Sequence, residues 1–333
     1  MQLCKSRSIT FTDSKISNVV LDSESGDIES VYLESGDQHF SDFWVDATGL
    51  RRVLIGKLKD NNWKTFSNYL QMDSAIAFPT DPDPSGEIRP YTRARAIKNG
   101  WVWEIPTQSR RGNGYVYSSR HCSDDQAIKE VSDLLGFDVI PAKKIKFEPG
   151  HLKEMWINNC VAVGLASAFV EPIEATSIGG TIQQARCLIE NLSSYKKGNL
   201  KVQKQFNKKM NIMMDNVLSM IYLHYISDRR DSQMWIDQSM IPVPEYLQEL
   251  IELWQERPPF ASDIANNNYE MFHVAHFYHV AQGQKIFVPD NSSRMIDNFN
   301  LREVVKNSIF AAKLAQSDHP KVSHAESLRQ IQI

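Results

Sequence analysis

A seven-residue run at the predicted start of a helix carries two carboxylates and two hydroxyl side chains: Glu171-Pro172-Ile173-Glu174-Ala175-Thr176-Ser177. The first amides of a helix point free N–H groups outward and favour anions. The amides of Thr176 and Ser177 could therefore bind a small anion or face a ligand. The spacing also suits a structural role, in which Glu171 and Glu174 complement the positive end of the helix dipole. The residues alone leave both interpretations open.

A predicted strand places two indoles side by side. It reads Trp101-Val102-Trp103-Glu104-Ile105-Pro106. Because residues i and i+2 of a strand point the same way, Trp101 and Trp103 are predicted to share one face. Such a pair could wall a catalytic site, or it could be part of the core or the cover of a sheet.

A third candidate site lies where another predicted strand ends. The apolar run Phe43-Trp44-Val45-Asp46-Ala47-Thr48-Gly49 suits a buried strand whose carboxyl end approaches a ligand. A nucleotide-type site at Asp46 and Gly49 is one interpretation, and a plain strand-to-helix turn is the other. The sequence has no G-x-G-x-x-G, so a nucleotide site in this chain is expected to be incomplete.

Apolar and polar spacing predicts an α+β fold, with a sheet-rich part followed by a helical lobe. The first fifty residues predict a β-meander, and residues 110–114 predict a hairpin turn between strands 101–105 and 115–118. Ser123 is predicted to cap a helix that runs to about Leu135. Another buried strand is predicted at 156–164. Later periodic segments predict helices at about 176–193, 201–226, 243–256, 265–281 and 300–315.

Composition excludes several classes of protein. With 37 Lys and Arg against 40 Asp and Glu, the net charge is −3, which argues against a nucleic-acid partner. The most prominent uncharged run, 155–170, is shorter than the roughly 20 apolar residues of a membrane helix. The four scattered cysteines fit neither a disulfide framework nor a zinc site, and a cytoplasmic protein is expected.

Three histidines recur at intervals of three residues, at His273, His276 and His279. On a helix the outer two would diverge by about 120°, and no carboxylate completes a ligand set. We therefore expect a pocket wall or core face there, and no metal site.

Two of these stretches resemble the characteristic motifs of flavin-dependent tryptophan halogenases: W-x-W-x-I-P at 101–106 and G-L-x-x-x-F-V-E-P-x-E-x-T at 164–176. Three more blocks follow the family order, at 46–51, at 112–120, and at His224-Tyr225 followed by Arg229, Asp231 and Trp235. The resemblance covers about residues 10 to 290. It implies a partial FAD-binding, glutathione-reductase-like sheet domain over 1–195 and a mostly helical substrate-binding lobe over 196–333.

The resemblance also implies a chemistry. In the family, reduced FAD and oxygen activate a chloride or bromide ion, and the resulting hypohalous acid crosses a tunnel to a small aromatic substrate. A separate reductase supplies the reduced flavin. Carried over by position, Thr176 and Ser177 would bind the halide and Glu174 would be the catalytic carboxylate. The remaining implied positions are Leu165, Ile178, Asp46 and Gly49 at the flavin, and Trp101 and Trp103 beside the tunnel.

Three departures from the family pattern shape these expectations. The family's glycine fingerprint and catalytic lysine align before Met1, which predicts a missing N-terminal segment or a separate chain that supplies it. Phe260-Ala261 and Asn267 stand where halogenases of free tryptophan carry a Tyr-Tyr pair and a glutamate, which predicts a different aromatic substrate. Ser177 replaces a usual glycine, which a backbone halide site tolerates if its φ angle is negative.

Two other functions remain open from the sequence. A flavin monooxygenase could be built on the same frame, although the retained Trp101 and Trp103 argue against it. A non-catalytic remnant or binding subunit without its own flavin site would fit the absent glycine fingerprint.

Overall fold

A computed structural model describes residues 4, 6–264, 268–288, 291, 306 and 326–328 of the chain. Within them, strands dominate as far as Phe169 and long helices follow from Thr176, which confirms the predicted α+β class. Except for position 306, the predicted helix at 300–315 lies outside the described residues. The domain boundary expected near residue 195 stays a prediction.

The strands of the described residues are β1 (Ile16–Leu21), β2 (Ile28–Leu33), β3 (Gln38–Phe40), β4 (Trp44–Asp46), β5 (Trp63–Thr65), β6 (Ser74–Thr80), β7 (Arg93–Ile97), β8 (Gly100–Pro106), β9 (Arg111–Tyr117), β10 (Lys143–Lys146), β11 (Gly150–Leu152), β12 (Trp156–Ile157), β13 (Cys160–Ala162) and β14 (Ala168–Phe169). The helices are α1 (Asp124–Leu135), α2 (Thr176–Lys196), α3 (Lys201–Leu223), α4 (Gln233–Met240), α5 (Glu245–Glu256) and α6 (Val274–Gly283).

The chain forms two compact units. The first consists of Met1–Lys64, Gly150–Phe169 and Ser177–Asn211. The second consists of Thr65–Pro149, Val170–Thr176 and Ile212–Ile333. The chain therefore leaves the first unit just before the Glu171–Ser177 run and re-enters it at Ser177.

The first unit contains small sheets. β1, β2 and β3 form the predicted antiparallel meander, which is confirmed. β4 pairs in parallel with β13, and β13 pairs with β12 in a hairpin. The prediction of one continuous strand over 156–164 is wrong, because Asn158 takes a φ of 48° and reverses the chain. This parallel pairing sets Ala162 beside Asp46 at the end of β4.

The second unit is built on a five-stranded antiparallel sheet in the order β10-β6-β9-β8-β7. Helix α1 begins at Ser123 as predicted, and the Ser123 hydroxyl accepts a hydrogen bond from the Gln126 amide. The helix packs its apolar side, which includes Val131, against Ile76 and Tyr115 on one face of the sheet. Trp101 and Trp103 lie on the opposite face of the sheet.

The β8–β9 hairpin turns earlier than predicted. The turn is Thr107–Arg110, closed by a 2.9 Å hydrogen bond from the Thr107 amide to the Arg110 carbonyl. Gly112 and Gly114 lie inside β9, so the prediction of a turn at 110–114 is wrong. Of these two glycines, Gly114 is the one at which a side chain would collide with neighbouring atoms of the sheet.

The predicted helices at 176–193, 201–226 and 243–256 are confirmed as α2, α3 and α5 within a few residues. The helix expected at 265–281 begins only at Val274, and residues 265–267 lie outside the described residues. Helix α4 was not predicted. No helix among the described residues is long and apolar enough to cross a membrane.

Candidate active site

Asp46 ends β4 in the first unit and is fully buried. One carboxylate oxygen accepts hydrogen bonds from the amide and hydroxyl of Thr48, at 2.9 and 2.6 Å. The other accepts from the amides of Leu54 and Ile55, at 3.0 and 2.9 Å. With four donors on its two oxygens, Asp46 holds the following turn in place. The flavin-site role of Asp46 stays a prediction, and it would act through the backbone that Asp46 orients.

Two turns of the first unit are tied together beside Asp46. The 3-10 turn Gly49–Arg51 is followed by Arg52, whose Nε donates to the carbonyl of Ala166 at 3.2 Å. Ala166 ends the second 3-10 turn, Gly164–Ala166. The Arg52 guanidinium also stacks on the Trp63 ring, 3.8 Å from its centroid. The predicted flavin-site residues Gly49 and Leu165 thus lie in two joined turns.

Buried Gln184 of α2 anchors the second turn from the other side. Its Oε1 accepts from the Gly164 amide at 2.8 Å, and its Nε2 donates to the Ser167 hydroxyl at 2.7 Å. The Ser167 hydroxyl in turn donates a hydrogen bond to the Gly164 carbonyl at 2.7 Å. Gly164 has a φ of 58°, in the left-handed region that favours glycine. Gln184 was not predicted as part of the site.

The same turns expose apolar side chains to solvent. Leu165 is 38% exposed, Leu50 is 40% exposed, and Ile178 in the first turn of α2 is 77% exposed. Gly49 has a φ of 72°, and a Cβ there would meet no atom within 4 Å. The exposed Leu50 and Leu165, on two joined turns with the open Gly49, suit the flat apolar ring of a flavin. The predicted flavin residues therefore fit that cofactor.

In the second unit, Trp101 and Trp103 lie on one face of β8, as predicted, with ring centroids 6.0 Å apart. Trp103 lies between the small residues Ala94 and Gly114 of the neighbouring strands, whereas Trp101 lies between Ala96 and Val116. The Trp103 ring lies directly over Gly114, where a Cβ would overlap its Cη2 and Cζ2 atoms. Trp101 is buried and Trp103 half-buried.

Glu174 ends the 3-10 turn Pro172–Glu174. Its Oε1 shares a 2.5 Å hydrogen bond with Nε2 of His224, which follows α3. Both side chains are about a quarter exposed, at 24% and 23%. Ala175 then takes a φ of 51°, which costs a residue with a Cβ roughly 1–2 kcal/mol. A strained backbone thus holds a carboxylate paired with an imidazole, a combination that can accept and share a proton.

Glu171, at the other end of this turn, is fully buried. Its Oε1 accepts a 2.6 Å hydrogen bond from the hydroxyl of Tyr225. Burial raises the pKa of Glu171 to about 8, while the Tyr225 hydroxyl and the Trp101 indole act in the opposite direction. The adjacent residues His224 and Tyr225 therefore bind the two carboxyl groups of one turn.

Thr176 and Ser177 are the first two residues of α2. Thr176 is buried and Ser177 exposed. The first amides of a helix have no carbonyl partner within it, so both can bind an anion, as predicted for a halide. Ser177 has the negative φ of a right-handed helix, which meets the condition for replacing glycine.

Two other predicted features lie apart from these residues in the sequence. The His273 amide donates to Nδ1 of His276, and no group of three metal-ligating side chains occurs among the described residues. Phe260 packs under the Arg257 guanidinium, 4.9 Å from the ring centroid, and Ala261 begins a 3-10 turn. Asn267 lies outside the described residues.

The family motif marks Glu174 but not the residues that hold it. His224 and Tyr225 belonged to a recognised block without an assigned role, and Gln184 carried no motif. The available signal in the sequence was His224-Tyr225 itself, because two adjacent polar rings at the end of a long predicted helix have no obvious role in a core.

Comparison with known proteins identifies the family of this chain. The sequence profile of the tryptophan halogenase family matches residues 1–300. Tryptophan 7-halogenase RebH of Lentzea aerocolonigenes is 34% identical over 235 residues, which are 69% of this chain and 44% of that protein. Tryptophan 6-halogenase SttH of Streptomyces toxytricini is 33% identical over 267 residues, 78% of this chain and 50% of that protein. The chain spans about half the length of the curated relatives it matches.

The fold is that of the flavin-dependent halogenases. BrvH, a flavin-dependent halogenase from Brevundimonas sp. BAL3, superposes with a TM-score of 0.87 and 31% identity over all of this chain and 67% of its own. Xcc4156, a flavin-dependent halogenase from Xanthomonas campestris, gives a TM-score of 0.86 and 28% identity over 99% of this chain and 66% of its own. The chain belongs to the tryptophan halogenase family.

Proposed function

We propose that this chain forms the halide- and substrate-facing part of a flavin-dependent halogenase acting on an indole-type or other aromatic substrate. The reaction would use reduced FAD, oxygen, and chloride or bromide. The observation that carries the proposal is the 2.5 Å pair of Glu174 and His224, which stands immediately before the helix that begins at Thr176. Membership of the tryptophan halogenase family supports the same reaction class.

Glu174 is the proposed catalytic carboxylate. Electrophilic halogenation leaves a positively charged ring, and a nearby carboxylate can stabilise that charge and accept the departing proton. His224 shares this hydrogen bond, and its imidazole can help to hold the accepted proton. Hydrogen bonding to the active halogenating species is a second possible role for Glu174.

The proposed cofactor is FAD in its reduced form, which supplies the oxidising chemistry that activates the halide. Leu165 and Ile178 would contact the flavin ring, and Gly49 would allow its close approach. Asp46 would hold the Gly49 turn in position. The amides of Thr176 and Ser177 would bind the halide at the start of α2.

The proposed substrate side is the tryptophan face of the second unit. Trp101 and Trp103 would line the tunnel and keep the substrate apart from the flavin, so that halogenation is favoured over hydroxylation. The small neighbours Ala94 and Gly114 leave room for the Trp103 indole to pack over β9. We propose a substrate other than free tryptophan, because Phe260 and Ala261 offer no side-chain group that could bind a charged amine.

A titration of the 333-residue chain with FAD tests the first requirement. Saturable quenching of flavin fluorescence with a rise in melting temperature is the expected result. A folded chain that binds no flavin would instead favour a binding subunit. The assay that follows combines the chain and a separately supplied family N-terminal segment, which carries the glycine fingerprint and the lysine, with FAD, a flavin reductase, NADH, oxygen and chloride or bromide. The substrate is either indole or tryptophan, and products are identified by mass spectrometry.

Halogenated indole is the expected product, and a hydroxylated product would favour a monooxygenase. Glu174→Gln should lower kcat by roughly 10²- to 10⁴-fold, the usual contribution of a general acid or base. Glu245→Gln is the matched control, because Glu245 is exposed in the first turn of α5. Equal activity of the two variants would refute the role of Glu174.

A further inference from the structure

The fully buried Glu171 is the one carboxyl of the Glu171–Ser177 run to which the proposed chemistry assigns no task. It precedes the Pro172–Glu174 turn, and its side chain accepts a hydrogen bond from Tyr225, whereas Glu174 is paired with His224. Oε2 of Glu171 is buried and makes no hydrogen bond of standard geometry with any described residue. The same is true of the Trp101 indole nitrogen, which lies close enough to lower the pKa of Glu171.

We propose that Glu171 is a positioning residue, whose contacts with Tyr225 and Trp101 fix the turn that presents Glu174 to His224. Two adjacent residues of the α3 end, His224 and Tyr225, each bind one carboxyl group of that turn, at 2.5 and 2.6 Å. Because the turn contains Pro172 and ends in the strained Ala175, it has little freedom between these two attachments. The inference rests on the proposed function for its effect on turnover, but not for its geometry.

Tyr225 is itself held on its other side. Its ring packs against Trp235 with centroids 5.9 Å apart, and the Arg229 guanidinium lies over Trp235 at 4.6 Å. The Trp235 indole nitrogen donates to the carbonyl of Ile97 in β7, at 2.8 Å. Tyr225, to which Glu171 bonds, is therefore connected through Trp235 to β7. This strand is the neighbour of β8, and β8 carries Trp101.

The charge state of Glu171 follows from its surroundings. No ion pair of the described residues includes it, and an unpaired buried carboxylate is costly. The titratable group that faces it is Tyr225, whose pKa is raised well above 10 by burial, so it stays a donor. Trp101 does not titrate, and Glu174 and His224 are paired with each other. Glu171 is therefore the neutral acid at pH 7.

Variants of the 333-residue chain test the link from Glu171 to Glu174 without requiring activity. The His224 imidazole resonances in the proton NMR spectrum are assigned by their loss in His224→Gln. Tyr225→Phe and Glu171→Leu should move them toward their positions in Glu174→Gln. Tyr222→Phe is the matched control, because its buried hydroxyl, three residues earlier in the last turn of α3, bonds to the Ile241 carbonyl instead. Glu171→Gln, which keeps the shape of the neutral acid, should leave the resonances unchanged.

Infrared difference spectra of wild type and Glu171→Gln test the neutral acid directly. A carboxylic acid C=O band should be present at pH 7 and disappear as the pH passes about 8. In an active preparation, Tyr225→Phe should lower kcat about tenfold with KM unchanged, as expected when a transition-state group loses its alignment.

Unmoved His224 resonances in folded Tyr225→Phe and Glu171→Leu would overturn the proposal. If Glu171→Leu does not fold, the milder Tyr225→Phe decides alone. Absence of the acid band at pH 7 would overturn the neutral form of Glu171. Shifted resonances in a chain that halogenates nothing would uphold the positioning role while refuting the proposed function, so the two failures are distinguishable.

Discussion

Replacing Gly114 by alanine should destabilise the protein, whereas the same change two residues earlier should not. A Cβ at Gly114 would overlap Cη2 and Cζ2 of Trp103 and lie 2.6 Å from the backbone oxygen of Ile76. Since ordinary C···O contacts begin near 3.3 Å, β6 and β9 would have to separate by about half an ångström or more. A Cβ at Gly112, on the same strand, would meet nothing within 4 Å.

The magnitudes follow from these contacts. Overpacking a well-packed site costs about 1–3 kcal/mol, and the fixed backbone of Ile76 places Gly114→Ala toward the upper end. Both changes reduce the entropy of the unfolded chain alike, worth about 0.4–1 kcal/mol of stability each, and this gain cancels when the two variants are compared. Their free energies of unfolding should therefore differ by the overpacking cost alone, roughly 2–3 kcal/mol.

Urea unfolding of both variants, followed by circular dichroism, measures this difference. Adding Trp103→Leu to Gly114→Ala should recover part of the loss, because the overlap with the indole disappears, and a double-mutant cycle isolates that part. Equal unfolding midpoints for Gly112→Ala and Gly114→Ala would refute the packing argument. No recovery by Trp103→Leu would assign the cost to the Ile76 backbone alone.

Three further predictions concern hydrogen bonds. In Asp46→Asn, the new side-chain amide group would face backbone N–H groups, which are donors and cannot accept its hydrogen bond. The free energy of unfolding measured in urea should fall by about 3 kcal/mol. Gln184→Leu leaves the Gly164 amide unpaired and should cost about 1–3 kcal/mol and weaken FAD binding in the fluorescence titration. The hydrogen bond from Arg257 lowers the pKa of Asp263 from 3.8 to about 2, so the stability that it contributes is present above pH 4 and lost as the pH falls toward 2. Wild type should therefore lose about 2 kcal/mol more than Asp263→Asn over that range, and parallel acid curves would contradict this.

Local sequence rules accounted for the elements whose causes are local. Alternating residues predicted the shared face of Trp101 and Trp103, because strand geometry alone sends i and i+2 the same way. Ser123 predicted the start of α1, because capping involves only the next turn. The family motifs located Glu174, because that resemblance is carried by consecutive residues.

The same local rules failed at the glycines. Gly112-x-Gly114 resembles a hairpin turn in sequence, yet both residues lie within β9. The reason for Gly114 is the indole of Trp103 on the neighbouring strand, which no local pattern reveals. Likewise, the apparent strand at 156–164 is divided by the left-handed Asn158.

By itself, the sequence determined the α+β class, most helix positions, the family, and which short stretches carry the candidate chemistry. Each of these depends on neighbouring residues or on an ordered set of motifs. Only the tertiary structure decided which side chains meet. Glu171 meets Tyr225 across 54 positions and Gly164 meets Gln184 across 20, since such pairs depend on how separate elements pack. A buried carboxyl becomes a neutral acid only when packing removes both water and any compensating cation.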